Sequence, residues 1–254
     1  MEMTFGQLRA FTIPDLGELY SKTYDERMTR WRTICAADKS RNILKMTAEI
    51  IKPIPSILEV GCGTGAVLRE LASSDVGSTL TGIEIGSTRS KDRQTTVGET
   101  TIHIEGYDGV RIPYEDASFD LVYATHVLEH VLDERGFLSE MRRVSRRYLY
   151  LEVPCELGVR TSYKSLQRTL DIGHINSYTR GSFALTLETS GLAVRSVELF
   201  DHSYSIHRFA GSSWKAAVKL GIRRSLLRAN SSLASRILTY HCGALCEKGP
   251  ALKI

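Results

Sequence analysis

Short apolar runs of strand length alternate along the chain with longer stretches in which apolar residues recur every three or four positions. SILEV at 56–60, STLTGIEIG ending near Glu84, TTIHIEG at 100–106 and FDLVYATHV at 119–127 read as strands. YLYLEVP, LAVRSVELF and RILTYHCGALCEK add three more, the last placed at 237–247. Helical spacing fills 25–52 up to the stop at Pro53, then the AVLRELASS stretch, 133–145, and 179–190 with Gly191 as its cap. Strands separated by helices build βαβ units. The expected fold is therefore α/β, a doubly wound, mostly parallel seven-stranded Rossmann-like sheet.

Segments 1–52, 155–178 and 203–236 fall outside that alternation. We read the chain as one domain, 1–254, with a core at 56–200, a helical amino-terminal cap, and two insertions, one of them a lid. The composition, with 42% apolar and 24% charged residues among 254, suits one large globular unit without repeats. An acid at position two and the lack of an early apolar run argue against a secretory signal. Nowhere do eighteen apolar residues run together, which argues against a membrane span. Five dispersed cysteines do not resemble a disulfide framework and point to a reducing cytoplasm. Cys242 and Cys246 read as core residues on one face of a buried strand.

The chemistry-bearing signal is EVGCGTG at 59–65, between a strand and a helix. Glycines there let the backbone approach a ligand closely, at the carboxyl edge of the first strand where doubly wound sheets bind ligands. Gly61, Gly63 and Ala66 also satisfy the dinucleotide pattern, and Glu84 stands where a carboxylate would accept the hydroxyls of a ribose. Spacing alone leaves a nicotinamide dinucleotide, another nucleoside and a bare structural turn open. Asp108, at the end of a strand on the same edge, is a further candidate.

Taken together, EVGCGTG, GIE at 82–84, YDG at 107–109, IPYEDASFDLV at 112–122, HVLEHV at 126–131 and GHINSYT at 173–179 resemble class I S-adenosylmethionine-dependent methyltransferases, in particular the type 11 branch acting on small molecules and lipids. The resemblance spans about residues 56–200. It implies that Glu59, Gly61, Cys62, Gly63 and Gly65 line the methionine part of S-adenosylmethionine, and that Glu84 holds the ribose hydroxyls. It further implies that Asp108 meets the adenine amino group, that Gly109 lies beside the ring, and that Thr125 and His126 face the sulfonium and its amino-acid tail. GSTRSKDR after Glu84 departs from the branch in being polar where a more apolar helix is common.

Methyl transfer needs in-line placement of the nucleophile, exclusion of water and, for a hydroxyl acceptor, a general base. His126 and His174 are the candidate bases. His130 is expected to pack within its helix. Tyr114, Tyr163 and Tyr178 could line an acceptor pocket, although core packing is the default for each. His126, Glu129 and His130 also match the H-x-x-E-H zinc-peptidase pattern. Since His126 directly follows a strand and no third-ligand motif is evident downstream, no metal is expected.

Charge is unevenly spread. Residues 211–254 hold eight Lys or Arg against one acid, Glu247, a net +7 that leaves −3 on the rest of a chain totalling +4. Within 213–238, Trp214, Val218, Ile222 and Leu226 form an apolar stripe beside Lys215, Lys219 and Arg223, a candidate surface for anionic membranes. The competing expectation is a helix packed on the sheet with a solvated cationic face. Nucleic acid is not expected, because aromatic interleaving is absent. The functional expectation is methylation, most simply at oxygen, of a small metabolite, sugar or lipid-linked precursor. Its rivals are an NAD-dependent oxidoreductase and a non-catalytic methyltransferase-like binding protein.

Overall fold

The central strands are buried at nearly every position, so each strand feeds two separate cores, one on each face of the sheet. The computed structural model describes residues 12, 26–50, 54–74, 76–77, 79–85, 93–209 and 211–249. In chain order these form α1 (Glu26–Met46), β1 (Ser56–Val60), α2 (Ala66–Ala72), β2 (Thr79–Ile85), β3 (Arg93–Val97), β4 (Thr100–Tyr107) and β5 (Phe119–Thr125). There follow α3 (Glu134–Val144), β6 (Ser145–Pro154), α4 (Tyr163–Thr169), α5 (Arg180–Glu188) and β7 (Leu192–Phe200). The chain then forms α6 (Tyr204–Phe209), α7 (Ser213–Ala229), α8 (Ser231–Ile237) and β8 (His241–Lys248).

The strands make one sheet in the order β3-β4-β2-β1-β5-β6-β8-β7. Pairings from β4 across to β6 are parallel, whereas β3 on β4, β8 on β6 and β7 on β8 are antiparallel. The winding direction reverses between β1 and β5, the crevice where such sheets hold ligands. The α/β, doubly wound expectation holds, with eight strands in place of seven. The extra one, RQTTV, hairpins onto β4 through Gly98 and Glu99, pairing Val97 with Thr100. Its β-branched Thr95, Thr96 and Val97 suit a strand, and Gly98 (φ +59°) supplies the turn.

On one face, Leu58, Val60, Val122, Ala124, Leu149, Leu151 and Val153 pack with Phe137, Leu138 and Met141 of α3 and Phe183 and Leu187 of α5. On the other, Ile57, Leu121, Tyr123 and Tyr150 pack with Ala36, Ile43 and Met46 of α1 and Leu68 and Leu71 of α2. Cys242 and Cys246 of β8 join the first core, as their spacing on one strand face requires. Asp133 caps α3 through its side chain, which accepts from the Gly136 amide at 2.9 Å.

Two boundaries differ from expectation. The first helix stops at Met46, well before Pro53, with the Thr47 hydroxyl donating back to the Ile43 carbonyl at 2.8 Å. The last strand starts at His241 and not at 237, because Asn230 caps a further helix by accepting from the Leu233 amide at 2.9 Å. Residues 1–11 and 13–25 of the expected cap, and the GSTRSKDR stretch except at its final arginine, lie outside the described residues.

Candidate active site

The loop after β1 turns sharply because three of its glycines adopt left-handed backbone: Gly61 at φ +78°, Gly63 at +56° and Gly65 at +75°. A Cβ on Gly61 would come within 2.6 Å of Val127, so the next turn leaves no room for a side chain. Glu84, at the end of β2, ties the loop down: its Oε2 accepts from the Gly63 amide at 2.5 Å and its Oε1 from the Ile85 amide at 3.1 Å. A carboxylate oxygen carries two lone pairs, so one that accepts an amide can also accept a hydroxyl.

This loop opens onto a cavity of about 1020 Å³, at the upper end of the usual size for small-molecule sites. Of the eleven residues singled out from sequence, Glu59, Gly61, Cys62, Gly63, Glu84, Gly109, Thr125, His126 and His174 line it. Gly65 and Asp108 do not. Gly65 instead starts α2, pressed against Ile104. Asp108 is exposed, and its Oδ1 accepts from the Val110 and Arg111 amides, both at 2.8 Å. Those backbone bonds hold its carboxyl below the usual range and shape the Gly109–Arg111 wall. Tyr178 is core and Tyr114 packs against the core, with hydroxyls on Glu134 and Glu105. Tyr163 does not border the cavity.

Beneath β1, Glu59 is almost fully buried, at 2% exposure. Burial pushes its carboxyl up to about 8, against the opposing charge of Lys39. Its Oε2 has no hydrogen-bond partner, nor has the buried hydroxyl of Thr125 at the end of β5. Buried polar atoms are normally satisfied, so two orphans on one cavity wall fit a polar ligand that brings the missing donors and acceptors. The amino-acid tail of S-adenosylmethionine has both, and the Glu84 carboxylate suits its ribose.

Under β5 and β6 the wall changes character. His126 takes a left-handed backbone (φ +58°), which turns its ring into a cluster drawn from distant parts of the chain. His126 Nδ1 lies 3.2 Å from Glu129 Oε1, and its Nε2 lies 3.3 Å from Glu152 Oε1 and 2.6 Å from His241 Nδ1. His241 Nε2 in turn meets His202 Nε2 at 3.0 Å. Asn42 and the Tyr150 hydroxyl donate to Glu152 Oε2 at 3.0 and 2.6 Å. Burial opposes a charge on His126, and Glu129 and Glu152 outweigh it, so its pKa is raised. Burial lowers His241, and brings His202 down to about 2.

Sequence reasoning missed Glu152, His241, His202, Lys39 and Asn42, all of which border this cavity. Only Glu152 left a trace, as an acid inside the apolar run YLYLEVP. His130 also differs from expectation: it sits in a short 3-10 turn, Leu128–His130, and lines the cavity beside His174 in place of packing within a helix.

A model of the methyltransferase domain family matches residues 23–197. Among curated proteins, the chain is 29% identical over 155 residues to the O-methyltransferase cnsE of Penicillium expansum, covering 53% of this chain and 55% of that protein. It is 36% identical over 97 residues to cycloartenol-C-24-methyltransferase of Arabidopsis thaliana, covering 37% and 29%. The chain thus spans about half the length, or less, of these curated relatives. The fold is similar to geranyl diphosphate C-methyltransferase from Streptomyces coelicolor A3(2), solved with Mg2+, geranyl-S-thiolodiphosphate and S-adenosyl-L-homocysteine, at a TM-score of 0.59 and 10% identity over 83% of this chain and 75% of that one. Glycine loop, strand order and family match agree: the chain belongs to the methyltransferase domain family, whose members share the class I fold and draw their methyl group from S-adenosylmethionine.

Proposed function

We propose that the protein transfers a methyl group from S-adenosylmethionine to an oxygen of a small metabolite, sugar or lipid-linked precursor. One observation carries this reading: a single cavity runs from the glycine loop to a cluster of buried histidines and glutamates. A nucleoside does not need that second half, but an acceptor hydroxyl does. When bound, the donor supplies an electrophilic methyl on a sulfonium. The protein's part is to hold, orient and dry the reactants. Glu59 and Thr125 take the amino-acid tail, Glu84 the ribose hydroxyls, and Cys62 and the loop glycines the methionine chain. Asp108 acts by ordering the wall at Gly109. His126 is the base in this reading: with Nδ1 on Glu129 and Nε2 on Glu152 and His241, it takes the hydroxyl proton when the acceptor displaces one of those contacts. A methyl-labelled donor incubated with an extract of the source organism should mark one oxygen-methylated small product. Label in nucleic acid, or in no product at all, refutes the reading.

The basic segment carries a second contact. On α7, Ala216, Leu220 and Arg223 are buried, whereas Trp214, Val218 and Ile222 are 67%, 53% and 62% exposed. An outward apolar row beside Lys215 and Lys219 supports docking on an anionic lipid surface, where a lipid-linked acceptor would be found. Sedimentation with anionic but not neutral vesicles is expected, and equal sedimentation with both contradicts it. Among the described residues no helix is long and apolar enough to cross a membrane. Five buried free thiols support residence in a reducing compartment such as the cytoplasm.

A further inference from the structure

We propose that Glu129, His130 and His174 form a binding site for one divalent transition-metal ion in the cavity wall. One potential ligand atom from each lies within 4.8 Å of the others. A tetrahedral ion about 2.1 Å from its ligands would space them by about 3.4 Å, so a small side-chain adjustment closes the site.

Three observations support a built site. Glu129 is fully buried and, among the described residues, neither of its carboxylate oxygens has a hydrogen-bond partner, while Oε1 lies 3.2 Å from His126 Nδ1. Each histidine is held through its other nitrogen. His130 Nδ1 donates to the Gly173 carbonyl at 2.9 Å, and His174 Nδ1 faces both oxygens of Glu156 at 3.0 Å. In the neutral rings this puts both lone pairs on Nε2, with a carbonyl and a carboxylate as the outer partners usual behind metal-bound histidines. Finally, the two segments are stitched together. The Ile175 and Asn176 amides donate to the Glu129 carbonyl at 2.9 and 3.0 Å, and the Asn176 side chain donates to the Leu128 and Val131 carbonyls at 3.1 and 2.7 Å.

The H-x-x-E-H pattern is therefore used in an unexpected way. Its first histidine leaves for the other cluster, and His174, from 44 residues beyond His130, replaces it. The neighbouring trio of His126, Glu152 and His241 is also compact. There, however, the two facing ring nitrogens are 2.6 Å apart, closer than two ligands of one ion and suited to a hydrogen bond. Two histidines and a carboxylate leave at least one position on the ion for water or an oxygen ligand. The acceptor would be of that class, an alcohol or enol oxygen made more acidic by the ion. That last clause rests on the methyl-transfer reading, and metal binding itself does not.

The full chain, freed of metal by chelator dialysis, is titrated with Zn2+ by calorimetry, and with Co2+ by visible absorption. One site per chain is expected. His174→Ala should weaken Zn2+ binding at least a hundredfold. Glu156→Gln, which keeps the inner ligands, should weaken it 10–100-fold. His241→Ala should leave it within about twofold. If His174→Ala fails to fold by circular dichroism, Glu156→Gln decides. Absence of Zn2+ binding, or a loss in His241→Ala as large as in Glu156→Gln, overturns the site. S-adenosylhomocysteine binding is measured on the same samples: its absence beside intact Zn2+ binding removes the methyl-transfer reading and supports the metal site alone.

Discussion

Glu59 and Glu152 end neighbouring halves of one sheet, point to the same side, and are 2% and 1% exposed, yet they ionise in opposite directions. Burial raises Glu59 to about 8. The same burial acts on Glu152, but His126 and His241 hold it well below the usual carboxylate range. Glu129 beside it is held at about 2 by its imidazole neighbours despite burial. Desolvation is common to both halves, and partners make the difference. The β5–β6 half brings its own counter-charges. On β1, Glu59 has no imidazole to hold it ionised and its Oε2 has no hydrogen-bond partner, as in a site that a ligand completes.

Breaking the β1 side should have the largest effect. Gly63→Val puts a β-branched side chain at φ +56°, in the loop whose amide Glu84 holds. S-adenosylhomocysteine affinity should fall beyond about a hundredfold while circular dichroism stays native. Unchanged affinity would mean that the ligand does not lie on this loop. On the β5–β6 side, His126→Asn keeps a residue tolerant of positive φ and removes the imidazole. Turnover should drop about 10²–10³-fold with donor affinity nearly unchanged, within the usual range for loss of a general base. Equal losses in turnover and affinity would reassign His126 to donor binding.

A smaller effect sharpens the contrast itself. Between the usual carboxylate range and pH 8, the folded protein keeps a proton on Glu59 that the unfolded chain has lost, so this group lowers stability as pH rises through that window. Glu59→Gln should flatten that decline in thermal melts from pH 5 to 8. An identical slope in the variant would show that Glu59 is not held protonated.

The two halves were also unequally legible in the sequence. The glycine loop, Glu84 and Gly109 lie at or just beyond the ends of β1, β2 and β4, neighbouring parallel strands close in sequence, so local pattern and a fixed winding rule suffice to bring them together. The other half depends on register between remote segments. Antiparallel pairing of β6 with β8 sets His241 opposite Pro154, and the bond from His126 to His241 spans 115 residues. Nothing near His241 in the sequence encodes that partner. Asn42 reaches Glu152 across 110 residues for the same reason. The α7 stripe shows a limit of periodicity: Trp214, Val218 and Ile222 are spaced for burial, but Ala216, Leu220 and Arg223 are the residues that turn inward.

Thermal melting with S-adenosylhomocysteine and with NAD, each at increasing concentration, tests the central assignment most directly. A ligand at a hundred times its dissociation constant adds about 2.7 kcal/mol to the native state, which for a chain of this size raises the midpoint by about 5–10 °C. S-adenosylhomocysteine should give that rise and NAD none. A rise with NAD of equal or greater size, or no response to S-adenosylhomocysteine, would contradict it.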